Sequence, residues 1–175
     1  ALDEVIEQVL DTTRPRWKDQ AEAGGRRFRI VTECASVPPI LGNASELRAV
    51  VTNLLFNALD AMPQGGTVTI TLRHVQRGGE TAQWSEGLIV NDEWSEKRCR
   101  SERGGVVLLT MTDTGVGIPD SVKARIFDPF FTTKGTRGTG LGLSMVHGIV
   151  RRHRGEILVA SEERRGTTIT ISLPI

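Results

Sequence analysis

The sequence predicts an α/β protein: a two-layer α/β sandwich in which helices cover one face of a mixed, mainly antiparallel sheet. Three observations carry that expectation. Apolar residues recur at helical spacing near the N-terminus and around residues 44–62, several short stretches alternate apolar and polar residues as half-buried strands do, and a third helical pattern near residues 141–152 runs directly into two more strands. With 175 residues, the chain is expected to form one domain around one core.

Leu2, Val5, Ile6, Val9 and Leu10 fall at i, i+3, i+4, i+7 and i+8, the stripe of an amphipathic helix that Pro15 ends or kinks. After Gly24-Gly25, Phe28 to Thr32 reads as a strand, closed by Pro38-Pro39. Asn43 with Glu46 three residues later has the form of a capping box. It opens a helix whose apolar period runs from Leu47 to Met62 and stops at Pro63 and Gly65-Gly66. Thr67 to Val75 alternates with Val68, Ile70 and Leu72 on one face, and Val106 to Thr112 is its expected antiparallel neighbour.

Residues 76–104 are too long for an ordinary hairpin connection. They mix Trp84, Trp94 and Leu88-Ile89-Val90 with many charges and read as an insertion with a small hairpin of its own, either a surface excursion or a partner-docking element. A helix near Leu141 to Arg152 and strands near Glu156 to Ser161 and Thr167 to Leu173 complete the chain.

Lys plus Arg (22) and Asp plus Glu (21) leave a net charge of +1, so no charge excess points to nucleic acid or to an acidic membrane. Charged residues at 25% and hydrophobic ones at 38% exclude a disordered chain. No apolar run approaches the roughly 18 residues of a spanning helix, and the start lacks a signal-peptide layout, so a cytoplasmic domain without direct membrane contact is expected. Cys34 and Cys99 form neither a disulfide framework nor a thiolate zinc site, which fits a reducing compartment. Of the 19 glycines, 11 fall from Gly104 to Gly166.

Four patterns carry chemistry. Asp113-Thr114-Gly115-Val116-Gly117-Ile118 puts an acid at a strand end before two glycines, a tight turn or a loop that lets backbone approach a ligand. Gly138-Thr139-Gly140-Leu141-Gly142-Leu143 precedes a helix, where free N–H groups at the positive dipole end form a phosphate cradle. No strand comes before it and no Gly-Lys-Ser/Thr ends it, which disfavours Rossmann and P-loop readings. Asn53 and Asn57 share a face of an apolar helix, and their amides either bond neighbouring backbone or face a polar ligand such as a hard cation. Phe127-Asp128-Pro129-Phe130-Phe131-Thr132-Thr133-Lys134 reads as an aromatic flap or as core filling.

In this order the four patterns resemble the catalytic, ATP-binding domain of two-component sensor histidine kinases. Its superfamily (GHKL) includes gyrase, mismatch-repair and heat-shock chaperone ATPases. The resemblance covers about Leu2 to Pro174, apart from 76–104, and implies a Bergerat-type ATP-binding fold. It implies that Asp113 accepts the adenine amino hydrogen with Thr167 nearby, that Asn57 ligates Mg²⁺, and that Asn53 lies close to metal or phosphates. Residues 115–142 would form an ATP lid including Gly115, Gly117 and Ile118. There Lys134 and Arg137 would offer phosphate contacts, and Gly138, Thr139, Gly140, Leu141, Gly142 and Leu143 would line the cradle. ATP and Mg²⁺ are the implied cofactors, and Asn53, Asn57 and Lys134 the implied catalytic set.

Related ATPases carry a Glu where this chain has Asn53, and an amide cannot accept a proton from water at neutral pH. The expected reaction is therefore transfer of the γ-phosphoryl group to a histidine. His74, His147 and His153 stand in no acceptor motif and are read as surface or packing residues. The acceptor is expected on a dimerisation/phosphoacceptor helical domain upstream, making this fragment monomeric and inactive alone, the parent a homodimer, and a response regulator an indirect partner. A nucleotide-gated interaction module is the second expectation and a gyrase-type hydrolase the third. Asp60 stands where many relatives are basic, and Arg154 where a second glycine is common.

Overall fold

The computed structural model describes residues 1–75, 105–133 and 138–175, together with the backbone of Leu88–Ile89. Helix α1 (Leu2–Arg14) buries Leu2, Val5, Ile6 and Val9 along the predicted stripe. Pro15 has no N–H to continue the ladder, and the chain widens into a π-helical turn over Pro15–Asp19 before the short α2 (Gln20–Ala23). Strand β1 (Arg27–Cys34) leads to α3 (Ala44–Asp60), which buries Leu47, Val50, Val51, Leu54, Leu55, Ala58 and Leu59. Full burial of each such side chain stabilises by roughly 1.5–3 kcal/mol for the larger ones.

The sheet continues with β2 (Gly65–Val75), β3 (Leu88–Ile89), β4 (Val106–Asp113), β5 (Glu156–Glu162) and β6 (Gly166–Pro174), interrupted by α4 (Asp120–Lys123) and α5 (Gly142–Arg152). Strand order is β1-β2-β4-β6-β5-β3. β1 runs parallel to β2, with Ile30 opposite Val68, and the other pairings are antiparallel. β2 and β4 are neighbours as expected, and Val75 faces Val106 at the end where residues 76–104 depart. The hairpin expected within 76–104 lies outside the described residues, except that Leu88–Ile89 pairs with β5. Trp84, Trp94 and Cys99 also lie outside them.

Val68, Ile70, Leu72, Leu109, Met111, Ile169 and Ile171 face the helices and form one core with α1, α3 and α5. On the opposite face the sheet is threaded by threonines, with Thr110 and Thr170 hydroxyls 3.1 Å apart and those of Thr112 and Thr168 3.0 Å apart. This is the predicted two-layer sandwich. No helix among the described residues is long and apolar enough to cross a membrane.

One sequence expectation is corrected at the start of α3. Asn43 Oδ1 does accept from the N–H groups of Ser45 (2.9 Å) and Glu46 (3.3 Å), but Glu46 does not return to the Asn43 backbone. Arg152 takes the Glu46 carboxylate at 2.7 Å, and the Asn43 N–H donates instead to His153 Nε2 at 3.0 Å. His153, its side chain 5% exposed, also has Nδ1 2.9 Å from the Ile149 carbonyl. The histidine therefore latches the end of α5 to the start of α3, a packing role as expected.

Candidate functional site

Asn53, Asn57 and Asp60 lie on one side of α3 because they are four and three residues apart. The Asn53 Nδ2 group donates to the Ala49 carbonyl at 2.8 Å, which fixes the amide and directs its oxygen toward α5. Gly142 opens α5 there: a Cβ at that position would come within 3.1 Å of Asn53 Oδ1 and 3.7 Å of Asn57 Nδ2. A side chain there would crowd the Asn53 amide, so glycine eases the close approach of the helix N-terminus and its free N–H groups to the amides.

Asp113 ends β4 opposite Thr167 of β6, and both are buried, each 7% exposed. Asp113 Oδ1 accepts from the Gly115 N–H at 2.8 Å. Burial pushes the Asp113 carboxyl above its ordinary pKa, with the N–H groups of Gly115 and Thr167 pulling the other way. Ser161 joins the surrounding strands: its hydroxyl donates to the Gly166 carbonyl at 3.0 Å, accepts from the Ile118 N–H at 2.8 Å and meets the Thr167 hydroxyl at 2.9 Å. Gly117, at φ +72°, packs its α-carbon against the Glu162 carbonyl, a place where a side chain fails on both counts.

The aromatic segment divides. Phe127 and Phe131 pack against the core, Phe127 with its ring 5.4 Å from that of His147, whereas Phe130 is 77% exposed at φ +66°. Core filling is therefore realised for Phe127 and Phe131. The Phe130 N–H donates to the Gly140 carbonyl at 3.0 Å, stitching the aromatic segment to the second glycine motif.

These pieces enclose a cavity of about 470 Å³, within the usual range for a small-molecule site. Asn53 and Asn57 line its helix wall, and Asp113, Thr167, Gly117 and Ile118 its sheet end. Gly138, Thr139, Gly140, Gly142 and Leu143 line the third side, over an apolar floor that includes Met111 and Ile169. Two expected contacts stand apart. Gly115 orients Asp113 with its N–H rather than lining the cavity, and Leu141 is 43% exposed with its N–H directed at Thr139 Oγ1. Lys134 and Arg137 lie outside the described residues. A second hollow of about 600 Å³ opens beside Asp113, lined by Thr112, Thr168 and both ends of α4, but its Arg165 pairs with its own Glu162 at 2.9 Å and its Lys123 with its own Asp120. The first cavity, with convergent amides and an apolar floor, is the better ligand site.

The sequence reading gives Asp60 no role, carries Phe131 only within the aromatic segment, and misses Ser161 altogether. Asp60 and Phe131 line the cavity, and the periodicity of α3 already put Asp60 on the Asn53 face. Ser161 is marked by no motif, since its role comes from which strands lie next to β5.

Residues 42–175 match the family described as histidine kinase-, DNA gyrase B- and HSP90-like ATPase. The chain belongs to this ATPase family. As a member it is an ATP-binding domain, and its fold is shared by a mycobacterial sensor histidine kinase, MprB, at 28% identity and a TM-score of 0.67, covering 98% of this chain and 93% of that one. Full-length ShkA in complex with AMPPNP shares the fold at 24% identity and a TM-score of 0.70, covering 99% of this chain and 30% of that one. Among curated relatives, the sensor kinase CckA of Brucella abortus (strain 2308) is 39% identical over 137 residues, 78% of this chain and 13% of that protein. Sporulation kinase A of Bacillus subtilis (strain 168) is 38% identical over 169 residues, 97% of this chain and 23% of that protein. The chain thus spans a quarter or less of the length of both kinases.

Proposed function

We propose that residues 1–175 act as one unit, the ATP-binding catalytic domain of a sensor histidine kinase, transferring the γ-phosphoryl group of ATP to a histidine on a separate dimerisation/phosphoacceptor domain. The observation that carries this reading is the fixed Asn53 amide, held by Ala49 and facing the N-terminus of α5 where a water-activating base would have to stand. An amide takes no proton at neutral pH, so the site favours a nucleophile brought by another domain over water. None of the chain's three histidines lines the cavity. His147 sits against Phe127, its pKa lowered by burial and then by the nearby Arg151 charge, and His153 is latched to α3.

In this reading Asp113 accepts the adenine amino hydrogen beside Thr167, and the N–H groups of Gly138 to Gly142 cradle phosphates. Lys134 and Arg137 belong to the same phosphate-binding set. The donors suit Mg²⁺: Asn57 and Asp60 offer hard oxygens on the helix wall of the cavity, as for an ion that also takes phosphate and water ligands. When bound, Mg²⁺ would neutralise phosphate charge and orient the γ-phosphoryl group. Asn53, Asn57 and Lys134 hold that group in line for the incoming imidazole. The phosphohistidine would then supply a response regulator in the cytoplasm.

Titration calorimetry of a non-hydrolysable ATP analogue with and without Mg²⁺, beside ADP and GTP, tests the site. Mg²⁺-dependent, adenine-selective binding that loses its Mg²⁺ dependence in Asn57→Ala is expected. Unchanged binding in that variant overturns the metal assignment. Labelled ATP with a cognate acceptor domain then tests the reaction: acid-labile, base-stable label is expected on the acceptor, and an unlabelled acceptor despite tight binding leaves a nucleotide-gated module.

A further inference from the structure

We propose that Arg16, which lies outside every glycine and asparagine motif, is a phosphate-recognition residue of the cavity, an inference that rests on the nucleotide reading above. The π-helical turn carries it. Trp17 pins that turn by packing on the core and donating Nε1–H to the Leu10 carbonyl at 3.3 Å, so the preceding Arg16 is thrown toward α3. Its guanidinium lies 3.9 Å over the centre of the Phe56 ring and 3.9 Å from Asp60 Oδ1. Phe56 directly precedes Asn57, and Asp60 lines the cavity.

Three features mark this guanidinium as ligand-competent. Stacking occupies its face and leaves its edges, which carry all five N–H groups, directed outward. None of those groups makes a hydrogen bond to a described residue, since Asp60 at 3.9 Å is an ion-pair distance only, and the side chain is 52% exposed. A half-exposed pair of this length contributes little, so exchanging the carboxylate for phosphate oxygens costs little. The gain is a charge-assisted contact, bidentate where geometry allows, from a side chain whose orientation the ring has already fixed.

The location sets which part of the ligand is read. Asp113 and Thr167 lie at the sheet end of the cavity, whereas Asp60, the ion-pair neighbour of Arg16, lies on the helix wall with Asn53 and Asn57. Arg16 therefore recognises the polyphosphate and not the base.

The test is calorimetry on the 175-residue chain, using a non-hydrolysable ATP analogue with Mg²⁺ and, separately, adenosine. Arg16→Ala is expected to raise the Kd of the triphosphate about tenfold and leave that of adenosine within about twofold. Arg16→Lys, which keeps the charge without the planar fork, should recover part of the loss and provides a second readout if the alanine variant folds poorly. No loss of triphosphate affinity in either variant overturns the inference, as does an equal loss for adenosine. Failure of the unaltered chain to bind either ligand instead overturns the nucleotide reading itself.

Discussion

The Ser161 hydroxyl lies 2.9 Å from that of Thr167, and through its other bonds it ties the Ile118 N–H to the Gly166 carbonyl. One hydroxyl thus uses its single proton and both lone pairs. With its proton on Gly166 it must accept from Thr167, leaving Thr167 its own lone pairs for the cavity. Ser161→Ala removes all three bonds at once. Adenosine affinity is expected to fall about tenfold, read by calorimetry, while Mg²⁺ dependence of the residual binding persists.

Asp113 sets function against stability. Its folded-state pKa is raised, so between the unfolded and folded values the native state binds more protons and stability falls as pH rises. Asp113→Asn keeps an oxygen for the Gly115 N–H and removes the buried charge. The variant is expected to melt higher than the unaltered chain at pH 7, with the gap closing as pH drops below the unfolded-state carboxyl pKa. Adenine selectivity should be lost in the same variant. In the unaltered chain it should weaken on acidification at higher pH than an ordinary aspartate would give. Thermal melts and nucleotide titrations across pH check both signs.

Arg154 holds φ +56° in the turn between α5 and β5, and is exposed. A side chain there adds strain that glycine lacks, partly offset by the greater freedom of glycine in the unfolded chain. Arg154→Gly is expected to stabilise by about 0.5–1 kcal/mol, or roughly 1–4 °C in Tm. Nucleotide affinity should stay unchanged, since the turn lies at the end of α5 remote from Gly142.

The elements were legible because their signals are local. The apolar period of α3 and the alternation of β2 and β4 each follow from one buried face, and the glycine motifs marked where backbone must approach a ligand. Relations between elements carried no such signal. The parallel pairing of β1 with β2 depends on where α3 returns the chain, and Ser161 matters only because β6 lies beside β5. Glu46 has the spacing of a capping residue, but Arg152, distant in sequence, takes its carboxylate. Gly115 has the motif of a ligand amide, yet spends its N–H on Asp113. Pro15 announced a break in α1 without revealing that the break would aim Arg16 at Asp60.

The pairing of Val75 with Val106 has an architectural consequence. Facing residues of an antiparallel ladder sit about 5 Å apart, so the chain leaves the sheet and rejoins it through a narrow doorway. Each doubling of a flexible tether between such points costs only about 0.6 kcal/mol. Asp113 stands at the opposite end of β4, some eight residues or roughly 25 Å along the strand. The doorway is therefore a natural grafting port, where a foreign folded module with neighbouring termini can be installed without straining the ATP cavity.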